Sequence, residues 1–282
     1  MTVCIAALCD RGRVCVVAAD REVTIGFPLN IAFEHHERKI DALSDYCVAM
    51  SAGNALVAAE TVALARRAII AGGTRDIAIA SEQFRDAYMG LHLARAEQLI
   101  LGPRGITLAE FKATGAQQIP QALYSQIDNL FWNFTLNTDF ILAGVDEGGA
   151  HISWVHYHGV QGQGWLERFD KLGYQAIGSG GSHAAILLSL TGQHRDLDTA
   201  ETVYNVYCAK VNAEVAPGVG DATDMAVISA AGTEFLAPAF LDELEAARRA
   251  ATERKQLDFQ ALFGRRNAST PAAPAAAGPR PD

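Results

Sequence analysis

The stretch TVCIAALCDRGRVCVVAAD, residues 2–20, decides the fold class of this chain. Its two apolar runs, residues 3–9 and 14–19, are rich in β-branched side chains, and the sequence DRG at residues 10–12 has the composition of a tight turn. Neither run alternates apolar with polar residues, so each strand is expected to be covered on both faces. The stretch therefore predicts a β-hairpin within a sheet that is buried on both sides.

Further apolar runs have the same character. Residues 46–52, 140–145 and 225–230 are apolar on both faces, whereas residues 151–157 alternate more, as is typical of a strand nearer the edge of a sheet. We expect these runs to extend the sheet structure that residues 2–20 begin.

Helical signals separate these groups of strands. Apolar residues recur at helical spacing, Asn54 has the chemistry of an N-cap, and the pair Gly72-Gly73 has that of a stop signal. The segment at about 100–136 is also helical and aromatic, and Gly115 and Pro120 interrupt it. The predicted helices cover residues 54–70, 81–101, 183–190, 199–215 and 240–263.

The order of strands and helices indicates two stacked sheets covered by two helical layers, because the strands need cover on both faces and the helices arrive in pairs. This is an α+β, four-layer αββα sandwich. A doubly wound parallel sheet is the alternative, but the opening hairpin and the lack of strict βαβ alternation count against it. We expect one domain over residues 1–264, with a helical extension at about 100–136 and a long C-terminal helix at 240–263. A disordered Ala/Pro-rich tail is predicted at 265–282.

The composition excludes several classes of partner. Half of the 282 residues are hydrophobic, the net charge is −9 and no Lys/Arg-rich run is present, which argues against a nucleic-acid groove or an anionic membrane surface. No apolar stretch is long enough to cross a bilayer, and no basic region followed by an apolar one marks a secretory signal. The five cysteines show neither disulfide nor metal-ligand spacing. We expect a cytoplasmic protein with buried thiols.

Thr2 is the first candidate for chemistry. Removal of Met1 would leave a threonine with a free α-amine, and the pKa of this amine near neutrality lets it take the proton of the hydroxyl. Asp20 ends the second strand of the hairpin and so returns beside Thr2, and Lys39 is a cation that could lower the proton affinity of the hydroxyl. From the residues alone, Asp20 is also interpretable as a turn residue and Lys39 as a surface charge.

Two glycine-containing junctions between a strand and a helix are further candidates. The sequence SAGN at residues 51–54 places Gly53 where its amide could face a developing oxyanion at a helix N-terminus, although a glycine needed only for a turn fits the same pattern. The sequence IGSGGS at residues 177–182 superficially resembles a phosphate cradle, but it lacks the GK[ST] ending and is not a first βα turn. We therefore expect no nucleotide site there.

Cysteine and histidine give weaker signals. Cys4 lies inside the first apolar strand and is expected to be a buried structural thiol. His156 and His158 would share one face of a strand, but no Cys or carboxylate completes a ligand spacing. We expect no metal and no other cofactor.

Four segments, by their order and spacing, resemble the proteasome β-subunit family and its bacterial peptidase relatives. A weaker fifth segment is TDMAVI at residues 223–228, and the likeness extends over about residues 2–230. Each segment is short, so the order and spacing carry more information than any one of them. The four segments are residues 2–6 with 17–21, residues 38–40 with 51–53, residues 141–147, and residues 176–182.

The resemblance implies a role for each matching residue. Thr2 would be the mature N-terminal nucleophile. Asp20 would hold Lys39, and Lys39 would lower the proton affinity at the nucleophile. The Gly53 amide would form the oxyanion hole, and Ser179 would support the N-terminal amine through a hydrogen bond.

One segment departs from the family pattern. The family places an Asp and a Ser just before its last core strand, but residues 216–221 read APGVGD and contain no Asp-x-x-Ser pattern. Asp221 is the candidate substitute. The departure leaves room for an impaired or altered site.

The resemblance implies the fold of the N-terminal nucleophile hydrolases and the activity of a threonine-type endopeptidase, which forms an acyl-enzyme on Thr2 after Met1 is removed. The expected partners are other copies of the chain in a homo-oligomeric ring, an unfolded polypeptide substrate and an ATP-dependent unfoldase. One alternative is a catalytically impaired structural subunit, which the missing Asp-x-x-Ser pattern favours. The other is a small-molecule amidase on the same fold, which would have a tight, closed pocket.

Overall fold

The strands and helices come from a computed structural model, which describes residues 2–25, 31–34, 36, 38–159 and 165–268. The fold is mixed α+β with antiparallel sheets. Within the described residues the strands are β1 (Cys4–Cys9), β2 (Val14–Asp20), β3 (Glu22–Ile25), β4 (Ile31–Glu34), β5 (Ile40–Ser44), β6 (Cys47–Gly53), β7 (Thr138–Asp146), β8 (Gly149–Val155), β9 (Glu167–Arg168), β10 (Tyr174–Ile177), β11 (Thr223–Ser229) and β12 (Gly232–Phe235). The α-helices there are α1 (Ala55–Gly72), α2 (Ile77–Ala96), α3 (Leu108–Glu110), α4 (Ala116–Gln118), α5 (Gln121–Trp132), α6 (Gly181–Leu190), α7 (Thr199–Ala213) and α8 (Pro238–Ala268).

The first five-stranded sheet has the strand order β10-β1-β2-β11-β12, and all of its pairs are antiparallel. The predicted opening hairpin is confirmed, because β1 pairs with β2 and Cys4 lies opposite Ala19. Every residue of β1 is buried, as expected for a strand that is covered on both faces. The hairpin therefore sits inside the sheet and holds the start of the chain in a fixed position.

The second five-stranded sheet has the order β5-β6-β7-β8-β9 and is also antiparallel throughout, while β3 and β4 form a separate two-stranded pair. Alternate side chains of β6 point to opposite faces. Val48 and Met50 belong to a buried cluster that also contains side chains of β1 and β2. Cys47 and Ala49 belong to a second cluster formed with α1 and α2.

The helices pack on the two sheets, α1 and α2 on the sheet that contains β6 and β7, and α6 and α7 on the sheet that contains β1. The predicted cap of α1 is confirmed, because Asn54 Oδ1 accepts hydrogen bonds from the first-turn amides of Leu56 and Val57. Helix α2 begins at Ile77, earlier than the predicted residue 81. Asp76 caps it by accepting from the Ile79 amide at 3.1 Å.

The segment between α2 and β7 is helical, as predicted. It contains two π-helical stretches, Glu97–Leu101 and Phe111–Gly115, in addition to α3, α4 and α5. The segment has a small hydrophobic core of its own. Its buried members are Ala96, Leu101, Phe111, Ile127 and Phe131.

The chain divides into two compact units, Met1–Leu236 and Ala237–Asp282. Helix α8, in the second unit, is longer than the predicted 240–263 and includes residues 265–268, which were predicted to belong to the tail. The rest of the predicted tail, residues 269–282, lies outside the described residues. Among the residues that are described, no helix combines the length and the apolarity needed to cross a bilayer.

Candidate active site

The β1–β2 hairpin brings Asp20 to Thr2. Cys4 pairs with Ala19, so the next position along the ladder places Val3 beside Asp20, and the Asp20 amide donates to the Val3 carbonyl at 3.3 Å. Thr2 itself precedes β1 and is only 3% exposed. The local reason for this arrangement is the tight turn at residues 10–12, which sets the register of the hairpin.

Asp20 is fully buried, and its carboxylate is saturated with hydrogen bonds. Oδ1 accepts from the Val3 amide at 2.9 Å, and Oδ2 accepts from the amides of Glu22 at 3.0 Å and Gly220 at 3.3 Å. A buried carboxylate is tolerated only when such donors replace its water shell. Asp20 therefore joins three separate segments of backbone at one point.

Lys39 supplies the positive charge at this point. Its Nζ donates to both oxygens of Asp20, at 3.0 and 3.1 Å, and to the hydroxyl oxygen Oγ1 of Thr2. It also donates to the carbonyl oxygen of Glu22. Because Lys39 donates to Oγ1, the hydroxyl proton of Thr2 is free to go to a base. The ammonium group also favours negative charge on that oxygen.

Ser179 lies on the other side of Thr2. The Thr2 N–H donates to Ser179 Oγ at 3.2 Å, and the Ser179 hydroxyl lies within hydrogen-bond distance of the carbonyl oxygens of Thr2, at 3.4 Å, and Pro217, at 3.3 Å. Gly178 lets the two segments approach, since its φ is +90° and a Cβ atom there would collide with the Thr2 carbonyl oxygen.

Gly53 and Thr2 line the same cavity, which has a volume of about 310 Å³. Gly53 ends β6 with a φ of +120°, and a Cβ atom at this position would collide with the Asn137 carbonyl oxygen. Glycine is therefore required here on steric grounds as well as by the backbone conformation. The other residues that line the cavity are Glu22, Val23, Phe33, Arg38, Lys39, Asp41, Ser51, Ala55, Ala58 and Ala59.

Neither a family model nor a curated protein matches this chain. The functional assignment therefore rests on the side-chain geometry. The structure brings together five of the six residues that sequence reasoning selected. These are Thr2, Asp20, Lys39, Gly53 and Ser179.

Asp221 does not join them through its side chain. The Asp221 carboxylate is on the exposed surface, and only its backbone carbonyl oxygen enters the network, as an acceptor from Lys210 Nζ at 2.6 Å. The neighbouring Gly220, and not Asp221, contacts Asp20. The expectation that the Asp221 side chain replaces the missing Asp-x-x-Ser pattern therefore receives no support from these contacts.

Lys210, on α7, is the buried charged residue that sequence reasoning missed. Its side chain is fully buried, and burial lowers its pKa from the ordinary value, with Glu214 acting in the opposite direction. No motif marks Lys210, because a lysine in a helical pattern usually lies on the solvated face. An available signal was its position on the apolar face of α7, among the buried Val203, Val206 and Ala213.

A second missed group is an ion pair beside the site. The Arg21 guanidinium binds Asp224 in a bidentate manner, at 2.8 and 2.6 Å, and this interaction raises the pKa of Arg21. Arg38 lies 3.3 Å from the same carboxylate and covers the Phe235 ring. These contacts fix the residues that immediately follow Asp20 and precede Lys39.

The weaker sequence candidates lie away from this network or are inert. Cys4 is buried, and burial raises the pKa of its thiol far above the ordinary value, which disfavours a thiolate nucleophile. His156 Nε2 contacts Glu167 at 3.3 Å, and His158 Nε2 lies 3.6 Å from Asp139. Within the part of the chain that is described, no group of three or more His, Cys, Asp or Glu side chains is arranged to hold a metal.

Proposed function

We propose that this chain is a threonine-type N-terminal nucleophile hydrolase that cleaves peptide bonds, with Thr2 as the nucleophile once Met1 has been removed. The observation that carries the proposal is the position of the Lys39 ammonium group, which contacts Thr2 Oγ1 and both carboxylate oxygens of Asp20 at the same time. A hydroxyl beside a partly buried cation that is held by a buried carboxylate is suited to nucleophilic attack.

In the proposed reaction, Thr2 Oγ attacks the carbonyl carbon of the substrate, and the free α-amine of Thr2 takes the hydroxyl proton. The Gly53 amide faces the oxyanion that develops. The carbon–nitrogen bond then breaks, the leaving amine takes the proton from the Thr2 ammonium, and an ester remains on Thr2. Water, deprotonated by the same amine, attacks this ester. The bond between the carbonyl carbon and Oγ then breaks, the Thr2 ammonium returns the proton to Oγ, and the acid product leaves. The Lys39 ammonium group, which donates to Oγ1, stabilises negative charge on this oxygen.

For the fold we propose the four-layer αββα sandwich of the N-terminal nucleophile hydrolases. The support is the buried cluster that β1 and β2 share with β6, together with the packing of α1 and α2 on one sheet and of α6 and α7 on the other. This architecture explains why β1 is buried on both faces.

We propose that the working assembly is a homo-oligomeric ring that receives unfolded polypeptide from an ATP-dependent unfoldase. A peptidase with an accessible site needs such enclosure in the cytoplasm. Large apolar side chains that are exposed on the helices offer surface for contacts between copies of the chain. Examples are Leu56 on α1 and Ile186 and Leu190 on α6.

A small-molecule amidase on the same fold is the second candidate. It is favoured by the modest cavity volume of about 310 Å³, which lies at the lower end of the range for ligand pockets. The two candidates are separated by measuring turnover of peptides and of short amides that carry the same acyl group. Turnover of the short amide without turnover of the peptide would assign the amidase.

The proposed function is tested on the purified full chain by N-terminal sequencing and by labelling with a peptide epoxyketone, which reacts with the hydroxyl and the amine of an N-terminal threonine. We expect Thr2 as the first residue and a single covalent adduct on it, and we expect Thr2→Ala to lose the adduct completely. Thr191→Ala is the matched control, because Thr191 is exposed at the end of α6 and does not line the cavity. Retained Met1, or equal labelling of wild type and Thr2→Ala, would defeat the proposal.

A further inference from the structure

Lys210 Nζ has three acceptors for its three protons. It donates to Glu214 Oε1 at 2.7 Å, to the Gly220 carbonyl oxygen at 2.8 Å and to the Asp221 carbonyl oxygen at 2.6 Å. An ammonium group in the protein interior is destabilising unless each of its protons has an acceptor, and here all three have one. Two of the three acceptors belong to the backbone of residues 216–221, the segment that lacks the Asp-x-x-Ser pattern.

The segment 216–221 contacts the candidate active site at two points. The Gly220 amide donates to Asp20 Oδ2 at 3.3 Å, and the Pro217 carbonyl oxygen lies 3.3 Å from Ser179 Oγ, which also accepts from the Thr2 amide. Gly220 therefore accepts a hydrogen bond from Lys210 at its carbonyl oxygen and donates one to Asp20 from its amide.

The composition of this segment explains why it needs an anchor. It contains Gly218, at a φ of +73°, and Gly220, and glycine has more conformational freedom to lose than any other residue. No disulfide is formed by the described cysteines. The contact with the fully buried Lys210 side chain is thus a rigid tie between the segment and α7, a helix that packs on β1 and β2.

We propose that Lys210 is a positioning residue of the active site, which fixes residues 216–221 so that Gly220 holds Asp20 and, through Asp20, sets Lys39 against Thr2. The inference rests on the proposed function for its effect on catalysis. Lys210 does not line the cavity, and its contacts with the segment are the hydrogen bonds to the backbone carbonyl oxygens of Gly220 and Asp221.

The test is Lys210→Met in the full chain, because methionine keeps much of the length of the side chain and removes its charge and donors. We expect the maximal rate of epoxyketone labelling to fall about 10- to 100-fold, with the half-saturating epoxyketone concentration unchanged within about 2-fold. Lys171→Met is the matched control, since Lys171 is exposed in the turn before β10, and its labelling rate is expected to equal that of wild type. If Lys210→Met does not fold, Lys210→Gln, which keeps two N–H donors, carries the same test.

Amide hydrogen exchange gives a second readout that does not depend on activity. In Lys210→Met we expect exchange at the Gly220 and Glu22 amides, which both donate to Asp20 Oδ2, to accelerate at least about 10-fold. Amides in the central strands, such as Val227 and Ile141, are expected to stay within about 2-fold of wild type. A uniform acceleration over all strands would indicate loss of global stability only, and would overturn the positioning role.

The remaining outcomes separate the two proposals. Unchanged exchange at Gly220, or accelerated exchange with an unchanged labelling rate, would overturn the role of Lys210 and leave the proposed function intact. Absence of any adduct on wild-type Thr2 would overturn the proposed function. In that case exchange at Gly220 and Glu22 still decides whether Lys210 fixes the surroundings of Asp20.

Discussion

Two carboxylate–cation clusters of this protein differ in their burial and in the kind of cation that they use. At the candidate active site, the fully buried Asp20 faces a lysine. At the hairpin between β7 and β8, His151 lies between Asp170, at 2.9 Å, and Asp146, at 3.2 Å, and all three side chains are partly accessible. A lysine ammonium keeps its charge over the physiological range, whereas a histidine titrates within it.

The two clusters therefore have different consequences for the protein. The cluster at the candidate active site organises Thr2, the proposed nucleophile, and three backbone amides, so we expect its loss to affect both the proposed activity and folding. The hairpin cluster ties Asp146 to the first turn of α2 through the Ile77 amide, and Asp170 to β8 through the Ile152 amide. It is therefore expected to affect stability alone, and in a pH-dependent manner.

Asp20→Asn has the largest expected effect. The substitution leaves the Lys39 ammonium without a counter-charge, and breaking one side of a buried ion pair lowers the free energy of unfolding by about 3–5 kcal/mol. Labelling of Thr2 by the epoxyketone is expected to fall at least about 100-fold. Urea denaturation and labelling rates measure the two effects. Asp196→Asn, at an exposed position, is the control and should change stability by less than about 0.5 kcal/mol.

Asp146→Asn has the next largest expected effect. Burial acts to raise the pKa of Asp146, but the amides of Ile77 and Gly148 and the ring of His151 outweigh it, so the pKa lies below its ordinary value. Asparagine cannot accept all of these bonds, and we expect a loss of about 1–3 kcal/mol in urea denaturation. Labelling of Thr2 should stay within about 2-fold of wild type. A loss of labelling as large as that of Asp20→Asn would show that the two clusters are not independent.

The pH dependence of His151 is the smallest expected effect. The hydrogen bond that His151 Nδ1 donates to Asp170 raises the pKa of His151 above its ordinary value, against the opposing effect of burial. Because the folded-state pKa is raised, the stabilisation is present below the unfolded-state value of about 6.5 and is lost as pH rises through the folded-state pKa. Near pH 6 we expect the free energy of unfolding of wild type, measured by urea denaturation, to exceed that of His151→Gln by less than about 1 kcal/mol. This difference is expected to shrink toward about pH 9. A difference that grows with pH would contradict this assignment.

The sequence predicted the parts of the site that depend on local signals. The turn at residues 10–12 and the two apolar runs were sufficient to predict the hairpin, and the hairpin register alone places Asp20 beside Val3, the residue after Thr2. Lys39 and Ser179 needed the resemblance to a family, because each arrives from a different segment whose approach no local pattern encodes. Helix α2 begins before the predicted residue 81 because Asp76 caps it, and the apolar spacing does not show this cap.

Lys210 and Asp221 show what sequence patterns leave out. Lys210 makes contacts 4, 10 and 11 residues along the chain, and two of its acceptors are backbone carbonyl oxygens, which every residue carries. Asp221 was selected for its carboxylate, but it contributes its backbone oxygen instead. Side-chain chemistry can be read from a sequence, whereas the use of a backbone group depends on the three-dimensional path of the chain.

The saturated carboxylate of Asp20 also changes how the evolution of such a site should be interpreted. A chain that had stopped catalysing would still need Asp20 and Lys39, because they satisfy one another and Asp20 ties together three segments of backbone. Selection for a folded protein alone would therefore preserve them. The Thr2 hydroxyl is different, since the backbone groups of Thr2 make the contacts with Ser179 and Gly180. In a relative that has lost catalysis, we therefore expect substitution of residue 2 while Asp20 and Lys39 are retained.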